Sequence, residues 1–427
     1  MQRSYTTLKP LIIPIFIPHS GCPHQCAFCN QSIITDTSHN KDKNKLYLLP
    51  SQEEIRHEVD RFLLYKGVRK EVELAFFGGN FLGLKQDEII FLLSSAKELV
   101  KDGKIDSIRF STRPDTITTE RLELISQYPV STIEIGVQSM DNRVLKLAKR
   151  GHTAEDTIKA ASLLKDIKQY GDFRESSLIA TDIAPISTTE TKICKSITKT
   201  KPFKIGMQMI VGLPEDNDKT ALETAEKIAQ LKPDFVRIYP LIVLEGSLIA
   251  KWYREGKYEP ISLESSVKLV KEIFLIFQRH GISVIRMGLQ ASDLLQDKLS
   301  MVAGPWHPAF GHLVYSEIFF DKAVDLIAKL GFIPRPLQRK VFINKELSYE
   351  DLGINQENKQ ESQIITLAVH PASISRLRGD KNSNIKRLKD IFPSIEFKIK
   401  TDDSLDKEQI SCNLESNIND LHILHNI

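Results

Sequence analysis

Apolar residues in the first 290 positions of the chain follow two alternating periodicities. Short apolar runs rich in β-branched and aromatic residues are typical of buried strands, and each run precedes a longer stretch with the spacing of an amphipathic helix. The predicted strands cover residues 11–17, 72–77, 107–112, 132–137, 205–211, 235–239 and 282–286. The predicted helices cover residues 51–65, 85–101, 142–149, 154–165, 219–231 and 263–280.

Strands that alternate with helices predict an α/β fold, because each helix returns the chain so that the next strand runs parallel to the last. Six or seven such units fit within residues 1–315, and they predict a partial or full (β/α) barrel of parallel strands. In barrels of this kind the chemistry lies at the C-terminal ends of the strands. The residues that follow each predicted strand are therefore the candidates for a site.

The remaining segments interrupt or follow this alternation. Residues 166–203 are rich in Ser, Thr and Lys and predict an inserted surface loop, with a lid over the barrel mouth as the alternative. Residues 316–363 predict a connecting region, residues 364–400 a small basic α/β module, and residues 401–427 a polar tail. The sequence thus predicts one large α/β unit followed by a small module.

The amino-acid composition is that of a globular protein and indicates little more about function. The chain is 41% hydrophobic and 26% charged with a net charge of +3, so its overall charge indicates no particular partner. The apolar run at residues 11–17 is too short to span a membrane, contains Pro14 and lacks the features of a signal peptide. We therefore expect a cytoplasmic protein without a membrane partner.

Three of the five cysteines lie within eight residues, directly after the first predicted strand, as Cys22-Pro-His-Gln-Cys26-Ala-Phe-Cys29. Clustered thiols in an intracellular protein more often bind metal than form disulfides. Three thiolates can hold one face of an iron–sulfur cluster and leave one iron open to a small molecule, as a catalytic centre requires. A structural zinc site with His24 or His19 as the fourth ligand is the alternative.

The C-x3-C-x2-C spacing, with the aromatic Phe28 before the last cysteine, resembles the signature of the radical S-adenosylmethionine (SAM) superfamily. The resemblance implies that Cys22, Cys26 and Cys29 bind a [4Fe-4S] cluster whose open iron chelates SAM. It also implies reductive cleavage of SAM to a 5′-deoxyadenosyl radical, with the electron supplied by a flavodoxin- or ferredoxin-type partner. The cofactors carry this chemistry, and the protein orients them.

The second predicted strand ends in Gly78-Gly79-Asn80, which resembles the Gly-Gly-Glu/Thr motif of the same superfamily. In that motif the backbone and the third side chain meet the amino group of SAM. Glycine allows the backbone to approach a ligand closely, and the Asn80 oxygen can accept from an ammonium group. Asn80 is nevertheless a departure from the usual Glu or Thr.

Later strand ends carry further residues that resemble SAM contacts. The resemblance implies that Gln138 and Gln208 contact the ribose, and that Gly212 and Pro214 shape the adenine pocket. It implies that Arg150 binds the carboxylate, for which a forked guanidinium is well suited. Weaker candidates of the same kind are Arg113 and Glu134.

The segments 236–247, 252–258 and 285–290 resemble the group that contains the Elongator catalytic subunit, and Arg237, Tyr239 and Lys251 are candidates to face a substrate. The acetyltransferase domain of that group has no convincing counterpart here, so carboxymethylation of transfer RNA is not expected. A radical SAM enzyme of porphyrin-type metabolism and a non-catalytic iron–sulfur protein that binds RNA are the alternatives.

Six basic residues lie between positions 376 and 389, around the pattern Gly379-Asp-Lys-Asn382. The pattern and the helix predicted after it resemble the GXXG loop of KH domains, which clamps single-stranded RNA. Asn replaces the second glycine, but it tolerates the left-handed backbone better than most residues. The resemblance implies RNA as a partner, whereas the alternative is a basic helix whose charges only face solvent.

Overall fold

A computed structural model describes residues 10–17, 22, 26–30, 49–176, 203–289, 300–334 and 363–415. The chain divides into two compact units, Met1–Pro308 and Ala309–Ile427. The boundary lies seven residues before the predicted end of the barrel at residue 315. Most of the predicted insertion, residues 177–202, lies outside the described residues, and so do residues 335–362 and 416–427.

The strands of the first unit are β1 (Leu11–Phe16), β2 (Val72–Phe77), β3 (Ser107–Thr112), β4 (Val130–Gln138), β5 (Lys204–Val211), β6 (Phe235–Pro240), β7 (Val243–Leu244), β8 (Ser283–Met287) and β9 (Met301–Ala303). All except β7 and β9 form one seven-stranded sheet in chain order. Every neighbouring pair in this sheet is parallel. The sheet has β1 and β8 at its edges, so it is a partial barrel, and the predicted α/β fold is confirmed.

The helices of this unit are α1 (Gln52–Leu63), α2 (Gln86–Lys101), α3 (Thr119–Ile125), α4 (Asn142–Leu147), α5 (Ala154–Ser176), α6 (Asp218–Gln230), α7 (Leu248–Arg254) and α8 (Leu263–Arg279). Most of these helices are preceded by a polar N-cap residue. The Ser51, Asp141, Asn217 and Ser247 side chains each accept a backbone N–H from the first turn. The α3 and α7 helices, of seven residues each, were not predicted.

The second unit contains α9 (Phe310–Lys329), β10 (Gln363–Val369), α10 (Ile374–Arg378), α11 (Ser383–Ile391), β11 (Ile395–Thr401) and β12 (Ile410–Glu415). Its sheet has the order β11-β10-β12, with β10 parallel to β11 and antiparallel to β12. Residues 364–400, predicted as a small α/β module, contain two strands with two helices between them.

Two parts of this unit differ from prediction. Residues 316–329 were predicted as a connecting region but belong to α9, whose Phe319, Phe320 and Ile327 enter the core of the unit. Residues 410–415 of the predicted polar tail form β12, because Ile410 and Cys412 at alternate positions of that strand pack against the same core. No helix in the described parts of the chain is long and apolar enough to cross a membrane.

Candidate active site at the strand ends

The cysteine loop after β1 is fixed by backbone hydrogen bonds to two helices. The Ala27 N–H donates to the Ala148 carbonyl oxygen after α4 (2.9 Å), and the Ile249 N–H of α7 donates to the Ala27 carbonyl oxygen (2.9 Å). The Asn30 side-chain amide donates to the Glu245 carbonyl oxygen (2.6 Å). Cys26 is buried beside Ala27. Residues 26–30 of this loop therefore have a defined position at the C-terminal end of the sheet.

Phe28 anchors the same loop to the apolar cluster beneath it. Its ring packs against a buried group contributed by α4, α7 and the segments that follow β5 and β6. This contact explains why an aromatic residue precedes the last cysteine, since it docks the loop on the strand ends. His24 and His19, the candidate zinc ligands, lie outside the described residues.

Arg150 is brought directly to the cysteine loop. Its Nη1 lies 3.3 Å from the Cys26 Sγ, and its Nη2 donates to the Gly136 carbonyl oxygen (2.8 Å). A Cβ at position 136 would lie 2.7 Å from the same Nη2, so a larger residue there would displace the guanidinium. A guanidinium beside this sulfur atom can compensate the negative charge of a metal-bound thiolate. The predicted contact between Arg150 and the SAM carboxylate stays a prediction.

The glycine motif follows β2, and its third residue has a role that the sequence did not reveal. The Asn80 side chain is fully buried, and its Oδ1 accepts from the Thr112 hydroxyl (2.8 Å), the Arg113 backbone N–H (3.0 Å) and the Thr116 hydroxyl (2.9 Å). Asn80 thereby ties the end of β2 to the end of β3. Gly78 has a φ of 94°, which favours glycine. The predicted contacts of Gly78, Gly79 and Asn80 with SAM stay predictions.

Gln138 combines two unusual features at the end of β4. Its φ is 67°, a left-handed conformation that is unfavourable for a side chain other than glycine. Its Oε1 is buried and has no hydrogen-bond partner among the described residues. Strained residues and unsatisfied buried acceptors cluster at functional sites. An incoming hydroxyl would satisfy this oxygen, which suits the predicted contact with a ribose.

Gln208, the other predicted ribose contact, is part of a buried polar network on the sheet. Its side-chain amide donates to Glu134 Oε2 (2.9 Å), and the fully buried Glu134 also pairs with Arg109 (3.1 Å) and Arg237 (2.8 Å). Arg109 in turn pairs with Glu73 (2.5 Å). The network links β2, β3, β4, β5 and β6. The role of Gln208 toward SAM stays a prediction.

The predicted substrate-facing residues separate into two groups. Arg237 belongs to the buried network, and burial raises the pKa of the neighbouring Tyr239 phenol. Lys251, by contrast, is exposed on α7 and lies near Glu255 (3.8 Å). The structure therefore places Arg237 and Tyr239 together and Lys251 away from them.

A cavity of about 510 Å³ opens beside the end of β5. Gly212, Leu213 and Pro214 form one side, and Trp252 and Tyr258 form another. The Tyr258 hydroxyl donates to the Gly212 carbonyl oxygen (2.6 Å), and Gly212 has a φ of 81°. The predicted adenine-pocket residues thus line a cavity, while their contact with adenine stays a prediction.

His152 is a buried histidine close to Arg150. Burial, and then the charge of Arg150, lower the pKa of His152 from 6.5 to about 4. The neutral ring places Nε2 3.1 Å from the Val137 carbonyl oxygen, to which it can donate. As the pH falls, the imidazole is protonated in the unfolded chain before it is protonated in the folded protein. His152 therefore contributes stability that is fully present above about pH 6.5 and is lost between about pH 6.5 and 4.

We expect the substitution His152→Gln to weaken the pH dependence of folding. Glutamine retains an N–H donor for Val137 but does not titrate, so the free energy of unfolding of the variant should fall less between about pH 7 and about pH 5 than that of the wild type, by roughly 2 kcal/mol. Urea unfolding at about pH 7 and about pH 5 measures the difference. His57→Gln, at an exposed position of α1, is the control. Equal pH dependence in all three proteins would contradict this prediction.

The donor set at the cysteine loop fits an iron–sulfur cluster. Thiolates are the usual ligands of such clusters, and cationic N–H groups near the sulfur atoms stabilise them. Within the described ranges, no three His, Cys, Asp or Glu side chains are arranged to hold a single metal ion. The ligands of a cubane cluster bind different iron atoms, so their sulfur atoms need not converge on one ion.

Comparison with known families identifies the class of protein that this fold and site define. Residues 16–173 match the family model described as the Radical SAM superfamily, and residues 233–319 match the Radical_SAM C-terminal domain. The chain belongs to the radical SAM superfamily and is an enzyme of this class, which uses SAM and an iron–sulfur cluster. The predicted superfamily is confirmed.

Individual relatives point to the Elongator-type group. The chain is 26% identical over 262 residues to Uncharacterized protein MJ0486 of Methanocaldococcus jannaschii, covering 60% of this chain and 64% of the relative. It is 23% identical over 290 residues to a tRNA uridine(34) acetyltransferase of Methanocaldococcus infernus, covering 61% and 48%. The chain thus spans less than two thirds of the length of each relative.

A similar solved structure is that of Methanocaldococcus infernus Elp3 with an N-terminal deletion, at a TM-score of 0.49 and 19% identity. The comparison covers 76% of this chain and 68% of that chain.

Proposed function

We propose that Cys22, Cys26 and Cys29 bind a [4Fe-4S] cluster and that the enzyme cleaves SAM reductively. When bound, these cofactors supply the one-electron chemistry that converts SAM to methionine and a 5′-deoxyadenosyl radical. The observation that carries the proposal is the buried contact between the Arg150 guanidinium and the Cys26 thiol, at the strand ends where the other predicted SAM contacts lie. A reducing cytoplasm, where thiols stay free, suits this chemistry.

The protein residues have separate tasks in this proposal. The three cysteines hold the cluster, and Arg150 compensates negative charge beside it. Gln138 presents an unsatisfied acceptor to the ribose, and Gly78 allows the backbone to approach the amino group. The electron comes from a one-electron donor of the flavodoxin or ferredoxin type.

The test is anaerobic reconstitution of the full chain, reduction, addition of SAM and quantification of 5′-deoxyadenosine. We expect product only when cluster, reductant and SAM are all present. A fully loaded cluster that forms no 5′-deoxyadenosine, and whose spectrum is unchanged by SAM, would overturn the proposal.

RNA is the substrate class that we propose. A relative of the chain is named for an activity on tRNA. In the second unit, the loop between α10 and α11 has left-handed residues at Gly379, Lys381 and Asn382. Such a turn between two helices is the backbone arrangement that a KH-type loop needs to approach a nucleic-acid backbone.

The basic residues around this loop have two different roles. Arg376 stacks over the Tyr315 ring (4.1 Å), and Arg387 stacks over Phe320 (3.6 Å) and pairs with a glutamate of α9. These two arginines hold the loop and helices to α9. Four other cations are exposed, and none of them forms an ion pair within the described ranges: Arg378, Lys381, Lys386 and Lys389. Exposed cations of this kind can contact phosphates.

We expect the double substitution Lys381→Ala and Lys386→Ala to weaken the binding of single-stranded RNA. Two lost phosphate contacts should reduce the slope of log K against log salt by roughly one to two. Fluorescence anisotropy with a labelled single-stranded RNA measures both affinity and slope.

The matched control is Lys329→Ala with Lys407→Ala, which removes the same charge from exposed positions of the same unit. If both double variants bind RNA with the same slope, the loop is not an RNA contact. If neither the wild type nor the variants bind RNA, RNA is not the substrate class.

A further inference from the structure

Arg113 is a buried guanidinium with one edge left unused. It follows β3 and is only 2% exposed. Its Nε and Nη2 donate to Asp115 Oδ1 (2.9 Å) and Oδ2 (2.8 Å). Its Nη1 is also buried but has no hydrogen-bond partner among the described residues. An unpaired N–H on a buried charged group is unfavourable, so it indicates a partner that binds there.

The position of this guanidinium is fixed from both ends. The Arg113 backbone N–H donates to the buried Asn80 Oδ1 (3.0 Å), which also accepts from Thr112 and Thr116. The Asp115 carboxylate holds the opposite edge of the guanidinium plane in a bidentate pair. A donor whose backbone and side chain are both held in this way is preorganised for a ligand.

The neighbouring strand end shows which ligand site Arg113 serves. Arg150 uses Nη1 on Cys26 Sγ and Nη2 on the Gly136 carbonyl oxygen. A Cβ at Gly136 would lie 3.6 Å from the carbonyl oxygen of Thr112, the residue before Arg113. The Arg113 guanidinium therefore begins beside the place where Arg150 meets Cys26, and it retains the unpaired donor.

We infer that Arg113 Nη1 binds an anion at the cysteine loop, and this inference rests on the proposed function. The anion is either a sulfur atom of the cluster or the carboxylate of SAM, since both are acceptors that a guanidinium recognises. A hydrogen bond from a cation to a cluster sulfur stabilises the reduced form, which is the more negative one, and raises the reduction potential. A hydrogen bond to the carboxylate instead strengthens SAM binding.

The test uses the reconstituted full chain carrying Arg113→Gln, which removes the charge. Arg113→Lys, which keeps the charge but not the fork, is the second variant. An EPR-monitored redox titration without SAM measures the cluster potential, and calorimetry with the oxidised cluster measures SAM affinity. Arg121→Gln is the matched control, because Arg121 lies on the neighbouring α3 and donates to the Leu84 carbonyl oxygen.

A sulfur partner predicts a more negative potential in Arg113→Gln without SAM, with a smaller shift in Arg113→Lys. A carboxylate partner predicts that SAM binding weakens about tenfold or more in both variants at an unchanged potential. Arg121→Gln should match the wild type in both measurements. Wild-type potential and wild-type SAM affinity in fully loaded Arg113→Gln would overturn the inference, whereas a wild-type chain that takes up no cluster would overturn the proposed function as well.

Discussion

Replacing Cys26 with alanine is expected to abolish both the iron–sulfur chromophore and the formation of 5′-deoxyadenosine. Cys26 is 7% exposed, and its Sγ is the atom that the Arg150 guanidinium approaches. In the proposed cluster, alanine leaves one iron without its protein ligand, and it removes the sulfur atom that Arg150 Nη1 approaches. Iron content, the visible spectrum and product after single turnover measure the effect, and we expect product at the level of a reaction without enzyme.

The chain supplies its own control for this experiment in Cys412. This thiol lies on β12 in the second unit, and burial raises its pKa to about 11, so little of it is thiolate near neutral pH. Cys412→Ser should therefore retain the wild-type iron content and product. A Cys26→Ala protein with the iron content and product yield of Cys412→Ser would show that Cys26 is not a cluster ligand.

Much of the fold of the first unit could be predicted, because its strands are short apolar runs separated by polar turns. The predicted bounds of β2 and β3 agree with the structure at every residue. The fold of the second unit was harder to predict, because a long polar segment follows α9. The apolar residues of α9 contact strands that come much later in the chain. Packing partners so distant in sequence leave no local pattern.

The candidate site shows the same division between local and long-range information. The cysteine spacing is local, so the sequence alone was enough to predict which cysteines are the candidate cluster ligands. Asn80 and Arg113 were candidate SAM contacts, but the hydrogen bond between them was not predicted, because it joins the ends of β2 and β3. The only local signal for the buried network was a charged residue within an apolar run, as at Glu73 and Arg109. Such a residue faces the opposite side of the strand from its apolar neighbours.

We expect the substitution Glu134→Ala to lower the free energy of unfolding of the first unit by about 3–5 kcal/mol. Glu134 is fully buried and pairs with both Arg109 and Arg237, each about as buried. Removing the carboxylate leaves two buried cations without this partner, and the other carboxylate, Glu73, pairs only with Arg109 in the described network. Both tryptophans, Trp252 and Trp306, lie in the first unit, so their fluorescence during urea unfolding reports on this unit.

Glu264→Ala is the appropriate control because it removes the same charge from an exposed pair with Lys268, in which the Glu264 side chain is 79% exposed. Exposed pairs of this kind contribute about 1 kcal/mol or less. Glu134→Gln, which keeps the shape and one acceptor oxygen, should lie between the two. If Glu134→Ala unfolds at the same urea concentration as Glu264→Ala, the network does not hold the strands together. The buried charges would then need another role, because burying ions that do not stabilise the fold is unfavourable. We would expect that role to be binding of a ligand within the partial barrel.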